Sequence, residues 1–250
     1  MSPKVIVVTG TSSGIGLALA TQFSNRGDTV IATVRSKAKA AGTAIEHSSN
    51  VQFVEMDALD YKTVDSAVAE IERIAPDGVD EVWNNLGVAK LRGPERDEAS
   101  VESIDPVELE TYFKVNAVTP AYFTSKLVPL LAKRDGKKIV FISSGIASIE
   151  VNKAREEVFK SVGVIPGYSA SKSGLNMLGW YFYSQLRSLG FTVVPLHPGL
   201  VITNMYSGGE IQIPAITAEE SASKVRDVVD KLTATDDYLL RSYDGSTFPW

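Results

Sequence analysis

Short apolar runs alternate along the chain with longer stretches in which apolar residues recur every three to four positions. Most of the short runs are apolar almost throughout, a pattern typical of strands that are covered on both faces in a parallel sheet. The predicted strands comprise residues 5–8, 29–34, 51–54, 79–83, 138–142 and 192–196, with a weaker one at 238–240. Their alternation with helical segments predicts right-handed βαβ units in a doubly wound α/β sheet with helices on both faces.

The chain shows no internal repeat and no linker rich in proline or serine, so we expect a single domain over residues 1–250. Three segments lack a clear period, namely 87–103, 150–167 and 204–217. Each follows a predicted strand and is therefore expected at the carboxyl edge of the sheet, where open α/β sheets bind ligands.

Composition and charge narrow the functional classes. A net charge of −5 argues against a nucleic-acid partner, which requires a basic face. The absence of cysteine excludes thiol nucleophiles and cysteine-ligated metals, and two histidines are too few for most zinc sites, so we expect no metal. No signal-peptide core follows the N-terminus, and no apolar run approaches the roughly 18 residues that span a bilayer. We therefore expect a cytoplasmic protein without a membrane partner.

A glycine-rich turn follows the first predicted strand. Glycines at such a turn let the backbone approach a diphosphate, while the N-terminus of the next helix offers unpaired N–H groups and a positive dipole end. Serines there can cap the helix or donate to a phosphate. The candidate residues are Gly10, Ser12, Ser13, Gly14, Ile15 and Gly16, preceded by Thr9. A tight strand-to-helix turn without a ligand is the alternative interpretation.

Tyr168 and Lys172 are four residues apart and therefore share one face of a predicted helix. A phenol, with a pKa of about 10, is a poor acid–base group near neutrality, whereas a nearby ammonium lowers its pKa. A decrease of about three units corresponds to roughly 4 kcal/mol of differential stabilisation. The pair is thus a candidate for proton transfer, although such pairs also occur on ordinary surface helices.

Pro120 lies inside a stretch, 107–134, that is otherwise typical of one long helix. Proline lacks the N–H that would bond the carbonyl four residues earlier, which is that of Asn116. The sequence therefore predicts a carbonyl at Asn116 that is released from the helix ladder, with a plain kink as the alternative.

Read together, the turn from Thr9 to Gly16 and the run Tyr168-Ser-Ala-Ser-Lys172 resemble the short-chain dehydrogenase/reductase family, in its single-domain branch of about 250 residues. Further motifs carry the resemblance over essentially the whole chain. They are Asn84-Asn85-Leu86-Gly87, where relatives usually have Asn-Asn-Ala-Gly, then Asn116, Ser143-Ser144, Pro198-Gly199 and Thr203. The resemblance implies a Rossmann-type fold and hydride transfer between a nicotinamide dinucleotide and a carbonyl or alcohol.

By this resemblance the catalytic residues are Asn116, Ser144, Tyr168 and Lys172. Tyr168 gives a proton to the carbonyl oxygen, Ser144 hydrogen-bonds the same oxygen, and Lys172 also holds the cofactor ribose. The backbone oxygen of Asn116 holds a water that leads from Lys172 to solvent. Relatives often form dimers or tetramers through the helices that carry Asn116 and Tyr168, so a homodimer or homotetramer is expected.

The second predicted strand ends in Arg35 rather than in the acidic residue that would bind the ribose hydroxyls of NAD. Arg35 is placed to pair with a 2′-phosphate, which favours NADP(H), while NAD(H) stays open. The resemblance assigns the adenine contact to Asp57 and the adenosine ribose to the neighbourhood of Asn85. Around the nicotinamide it places Pro198, Gly199, Val201 and Thr203.

Two segments bear on the substrate. Ser144 and Tyr168 are 24 residues apart, about ten more than in most relatives, so 151–164 resembles an insertion that loops out near the substrate. Residues 204–217 occupy the family's variable lid, with Gly208 and Gly209 as hinges and several apolar side chains as a cover. An apolar lid suits an apolar ketone or aldehyde. The same apolar residues are equally consistent with the packing of an ordinary loop.

The sequence thus predicts an NADPH-dependent carbonyl reductase with a small-molecule carbonyl or alcohol as substrate. A dinucleotide-binding regulator or scaffold without turnover is the alternative, against which the complete set of four catalytic candidates argues. Epimerase or dehydratase chemistry fits less well, because those branches usually have another glycine spacing and a larger C-terminal domain.

Overall fold

The computed structural model describes residues 3–89, 104–154, 166–201 and 215–250. Within them one eight-stranded sheet has the order β3-β2-β1-β4-β5-β6-β7-β8. The strands are β1 (Val5–Thr9), β2 (Thr29–Val34), β3 (Val51–Glu55), β4 (Glu81–Asn84), β5 (Lys138–Ile142), β6 (Thr192–His197), β7 (Leu240–Ser242) and β8 (Thr247–Phe248). Neighbours from β3 through β7 are parallel, which confirms the predicted doubly wound α/β fold.

The last strand departs from the expected pattern, because β8 pairs antiparallel with β7. The predicted seventh strand at 238–240 begins instead at Leu240, and no strand was expected after it. A tight turn in which Gly245 has φ +86° reverses the chain, and a two-residue strand is too short to produce a recognisable pattern.

Seven α-helices lie among the described residues: α1 (Gly14–Asn25), α2 (Tyr61–Ile74), α3 (Pro106–Phe113), α4 (Thr119–Leu131), α5 (Ile149–Ala154), α6 (Pro166–Leu186) and α7 (Ala218–Lys231). Short 3₁₀ turns occupy Lys37–Ala40, Gly145–Ala147 and Arg187–Leu189, and a π-helical turn, Lys114–Val118, joins α3 to α4. No helix of this part of the chain has both the length and the apolarity to cross a membrane.

Alternate strand residues supply two hydrophobic cores, one on each face of the sheet. Val7 packs with α2, α4 and α6 on one face, through residues such as Leu127 and Leu175. Its neighbours Ile6 and Val8 pack with α1 and α7 on the other face. Apolar burial on both faces accounts for the nearly unbroken apolar runs of the strands. Because β1 to β7 run parallel, their carboxyl ends meet along a single edge of the sheet.

Candidate active site

The predicted site residues gather along the carboxyl edge of the sheet. The glycine turn follows β1, the segment 84–87 closes β4, Ser144 follows β5, and Pro198 follows β6. β1, β4, β5 and β6 are consecutive neighbours in the sheet, so these four segments stand side by side. α6 brings Tyr168 and Lys172 to the same edge.

The backbone angles and the close packing of the glycine turn leave no room for side chains at its glycine positions. Gly10 and Gly14 have φ of +73° and +59°, in the left-handed region that favours glycine. At Gly16 an added Cβ would lie 2.3 Å from the carbonyl oxygen of Gly10. The backbone therefore requires glycine at these three positions, since α1 packs directly against the turn.

The start of α1 offers donors to a ligand. Ser12 and Ser13 are exposed, and among the described residues the Ser13 side chain makes no capping hydrogen bond. A helix start without a side-chain cap has unpaired N–H groups and carries the positive end of the helix dipole. Together with the side-chain-free turn, this start of α1 fits the diphosphate of a dinucleotide.

Asn85 fastens the end of β4 to this turn. Its side-chain amide donates to the carbonyl oxygens of Thr9, at 3.0 Å, and Gly10, at 3.3 Å. The backbone N–H of Leu86 donates to Thr9 Oγ1. The resemblance placed Asn85 near the adenosine ribose, and the structure adds a scaffolding contact that the sequence did not indicate.

Arg35 is exposed directly after β2, next to the strand that ends in Glu55. The Glu55 carboxylate accepts a 2.7 Å hydrogen bond from the backbone N–H of Lys37. Lys37 also forms a 3.7 Å ion pair with Glu70. The neighbouring strand thus brings an acidic residue, Glu55, close to the end of β2, which the residues of β2 alone do not indicate.

Asp57 is half-buried just beyond β3. One carboxylate oxygen accepts from the backbone N–H of Leu59 at 2.9 Å, and Thr63 bonds both the N–H and the carbonyl of Asp57. The carboxylate is therefore held in a fixed position at the ligand-binding edge.

Tyr168 forms a side-chain hydrogen bond with Ser144, which brings the ends of α6 and β5 together. Burial raises the pKa of Tyr168 to about 12, although the Ser144 hydrogen bond lowers it in part. The sequence predicted the opposite direction, because it assumed that the Lys172 charge would dominate. Desolvation of the phenolate is the largest influence on the pKa of Tyr168, so the phenol is protonated at neutral pH.

Lys172 is buried with its amino group 5.9 Å from the centre of the Tyr168 ring. Nζ donates a 2.6 Å hydrogen bond to the carbonyl oxygen of Ile142, the last residue of β5. Burial lowers the pKa of Lys172 to about 8, so the group is still mostly charged at pH 7. The bond to Ile142 directs the ammonium toward β5.

Asn116 lies within the π-helical turn and is completely buried. Its side chain accepts from the backbone N–H of Val88 at 2.8 Å and donates to the carbonyl of Val88 and to Ser171 Oγ. An added Cβ at Gly87 would lie 3.3 Å from Asn116 Oδ1 and 3.5 Å from Lys172 Nζ. The structure thus brings the Asn116 side chain and the Lys172 amino group close to the same face of Gly87.

Ser171 and Val88 were missed by the sequence analysis. Ser171 bridges Asn116 to α6, since its hydroxyl donates to the Tyr168 carbonyl at 2.7 Å and accepts from Asn116. The only signal was a small hydroxyl residue between Tyr168 and Lys172, which many surface helices also contain. The Val88 contact is made by backbone atoms and leaves no signature in the sequence.

The nicotinamide side is described in part. Gly199 has φ +90°, and an added Cβ there would approach Ile216 and Tyr243 within about 3 Å. Val201 forms an isolated parallel bridge with Ile216. Pro198 is buried, and its carbonyl accepts from Ser221 Oγ at 2.7 Å. Thr203 lies outside the described residues.

The two variable segments are also described only at their ends. Of the predicted insertion, residues 151–154 belong to α5, where Val151 is buried, while 155–164 lie outside the described residues. Of the predicted lid, 204–214 lie outside them. Its last residue, Thr217, caps α7 by accepting from the N–H of Glu220.

Residues 4–210 match the family described as short chain dehydrogenase. An uncharacterised oxidoreductase of Schizosaccharomyces pombe is 30% identical over 99% of this chain and 98% of its own length. The chain belongs to the short-chain dehydrogenase family. It is accordingly an NAD(P)-dependent oxidoreductase, as the motifs predicted.

Two further relatives place the chain within the short-chain dehydrogenases. The NADPH-dependent 3-dehydrocapnine reductase of Ornithobacterium rhinotracheale is 31% identical over 82% of this chain and 70% of its own length. The crystal structure of the carbonyl reductase Sniffer of D. melanogaster has a TM-score of 0.83 and 25% identity, and the match covers 99% of this chain and 100% of that one.

Proposed function

We propose that this short-chain dehydrogenase uses NADPH to reduce a ketone or aldehyde to an alcohol, reversibly and in the cytoplasm. The observation that carries the proposal is the hydrogen bond between Tyr168 and Ser144 with the Lys172 ammonium beside the ring. The printed names of the O. rhinotracheale and D. melanogaster proteins, an NADPH-dependent reductase and a carbonyl reductase, support the cofactor and the substrate class.

The residues that would hold the cofactor line the carboxyl edge of the sheet. The glycine turn and the start of α1 suit the diphosphate, and Arg35 suits the 2′-phosphate, because its guanidinium is exposed at the end of β2. The adenosine side would further involve Asp57 and Asn85, and the nicotinamide side Pro198, Gly199, Val201, Thr203, Tyr168 and Lys172. NADPH supplies the hydride when it is bound.

In reduction, Tyr168 is the proton donor. Its raised pKa, about 12, keeps the phenol protonated across the physiological range, which is the form that a general acid requires. Ser144 donates a hydrogen bond to the same carbonyl oxygen and stabilises the negative charge that develops there. As the proton leaves, the Lys172 ammonium favours the resulting phenolate.

Asn116 would connect this pair to solvent. Pro120 has no N–H for the Asn116 carbonyl, which is therefore a candidate to hold a water on the path from Lys172. The side chain of Asn116 is already committed to Val88 and Ser171, so it fixes the position of that carbonyl.

We further propose a homodimer or homotetramer, as the family resemblance implies. Support comes from exposed apolar side chains on the helices that carry Asn116 and Tyr168, including Val118, Met177 and Trp180.

Oxidation of NADPH, followed by its absorbance against a panel of apolar ketones and aldehydes, tests the proposal. We expect turnover with at least one carbonyl, and reduction of NADP by the corresponding alcohol. Tyr168→Phe should bind NADPH but lose at least about 100-fold in kcat, because the proton donor is gone. Tight NADPH binding without turnover on any substrate would instead identify a dinucleotide-binding regulator.

A further inference from the structure

The backbone hydrogen bonds between β5 and β6 end at the active-site edge, where a side chain takes the place of the next backbone acceptor. Ile142 pairs with Leu196, and the N–H of Ser143 donates to the Leu196 carbonyl at 2.7 Å. In a parallel ladder the next donor lies two residues further along each strand, so the N–H of Gly145 would meet the Pro198 carbonyl. Instead it donates to Nδ1 of His197 at 3.1 Å.

The Pro198 carbonyl has turned toward α7, where it accepts from the hydroxyl of Ser221. The imidazole of His197 therefore substitutes for a backbone acceptor, at the point where the two strands diverge. Divergence at this point separates Ser144 from the Pro198-Gly199 turn, while the side-chain bond still ties the two segments together.

We propose that His197 is a positioning residue for Ser144. It holds the N–H of Gly145, the residue directly after Ser144, and so fixes the serine hydroxyl against Tyr168. The inference rests on the proposed function, since it gives Ser144 its role as donor to the carbonyl oxygen. His197 itself needs no contact with the substrate or with the reacting atoms.

The C-terminal hairpin fixes the ring of His197. Phe248 of β8 makes an edge contact with the imidazole at a centroid distance of 5.3 Å, and Tyr243 makes another at 6.4 Å. Phe248 also borders Gly145, where an added Cβ would lie 3.5 Å from its ring. The last strand of the sheet, which the sequence pattern did not predict, thereby supports the placement of Ser144.

The chemical requirement is an acceptor at the δ position of residue 197. Nδ1 must carry no proton to accept from Gly145, so the neutral imidazole has its proton on Nε2. The side-chain amide oxygen of Asn lies close to the place of Nδ1, whereas that of Gln reaches toward the place of Nε2. The two polar variants therefore separate the acceptor from other effects of the ring.

H197N and H197Q are compared in a carbonyl-reduction assay with saturating NADPH. H197Q should lose roughly 10- to 100-fold in kcat, the range expected when a donor is displaced by about 1 Å, and H197N should regain most of that loss. The dissociation constant of NADPH should stay within about threefold in both, because Ser221 still holds Pro198. H47N is the matched control, since the His47 side chain is 91% exposed, and it should behave as the wild type.

A double-mutant cycle with S144A tests whether His197 acts through Ser144. In the S144A background, H197Q should cost no more than about twofold, since there is no hydroxyl left to position. Losses that multiply, a fully active H197Q, or equal losses in H197N and H197Q would overturn the inference.

Amide exchange at Gly145, followed by NMR on protein labelled with ¹⁵N-glycine, gives a readout without turnover. Protection of the Gly145 N–H should fall in H197Q and persist in H197N, whereas equal protection in both would contradict the inference. If the wild-type protein reduces no carbonyl, the proposed function is contradicted, while the exchange of the Gly145 N–H still tests the role of His197.

Discussion

Tyr168 and Lys172 lie one helical turn apart, and burial disfavours the charged form of each. Both groups lose the solvation of their charged forms, so the pKa of the phenol rises to about 12 and that of the ammonium falls to about 8. Sequence spacing places the two residues on one face of α6, but it contains no information on how deeply the sheet and neighbouring helices enclose them. The predicted direction for Tyr168 was therefore wrong, while the pairing of the two residues was right.

The lowered pKa of Lys172 predicts the pH dependence of reduction. The ammonium is charged below about pH 8 and neutral above it, whereas Tyr168 keeps its proton up to about pH 12. We expect kcat/KM to fall as the pH rises through about 8, toward tenfold per unit, with Lys172 as the titrating group. A profile from pH 6 to 10 measures this, with K153M, at an exposed lysine, as the control. A flat profile through pH 9 would contradict the assignment.

At the scale of elements, the segment before α4 shows what one proline does. Pro120 led us to expect an interrupted helix at Asn116, and the structure has a π-helical turn there, in which the N–H of Thr119 donates to the Lys114 carbonyl five residues earlier. The predicted helix 107–134 is therefore α3, the π turn and α4 in succession, ending at Leu131. The sequence located the irregularity, but the wider turn depends on packing against α6, which buries Asn116.

We propose that Arg35, at the end of β2, sets the preference between NADPH and NADH. R35D replaces the guanidinium with a carboxylate next to Glu55, so a 2′-phosphate would meet repulsion instead of a charged hydrogen bond. We expect the ratio of kcat/KM for NADPH to that for NADH to fall at least about tenfold, since such a bond is worth about 1.5–3 kcal/mol.

R73D is the matched control for this substitution. Arg73 is exposed in the last turn of α2, away from the carboxyl edge of the sheet at which that helix begins. R73D changes the charge of the protein by the same amount as R35D. Its cofactor ratio should match the wild type. An unchanged ratio in R35D would show that Arg35 does not contact the 2′-phosphate.

For the whole molecule, the pattern of apolar runs was sufficient to predict the sheet, because burial on both faces leaves a strong signal in each central strand. The expectation that Ser144, Tyr168 and the glycine turn share one site came from the family resemblance. Four sets of contacts could not be predicted, because each joins segments that are distant in sequence. They are the contacts of Ser171, Val88, Glu55 and His197. The edge strand β8 was missed because its two residues are too few to produce a recognisable pattern. The single-domain organisation stays a prediction.

In the proposed reaction, hydride passes from NADPH to a carbonyl carbon while Tyr168 supplies the proton. The most direct test uses NADPH deuterated at both C4 positions of the nicotinamide, with a carbonyl from the active panel, and mass spectrometry of the alcohol. We predict one deuterium per product molecule, bound to the carbinol carbon, and at least about 100-fold slower formation of the same product by Y168F. An alcohol without deuterium, or an unimpaired Y168F, would contradict the proposed reaction.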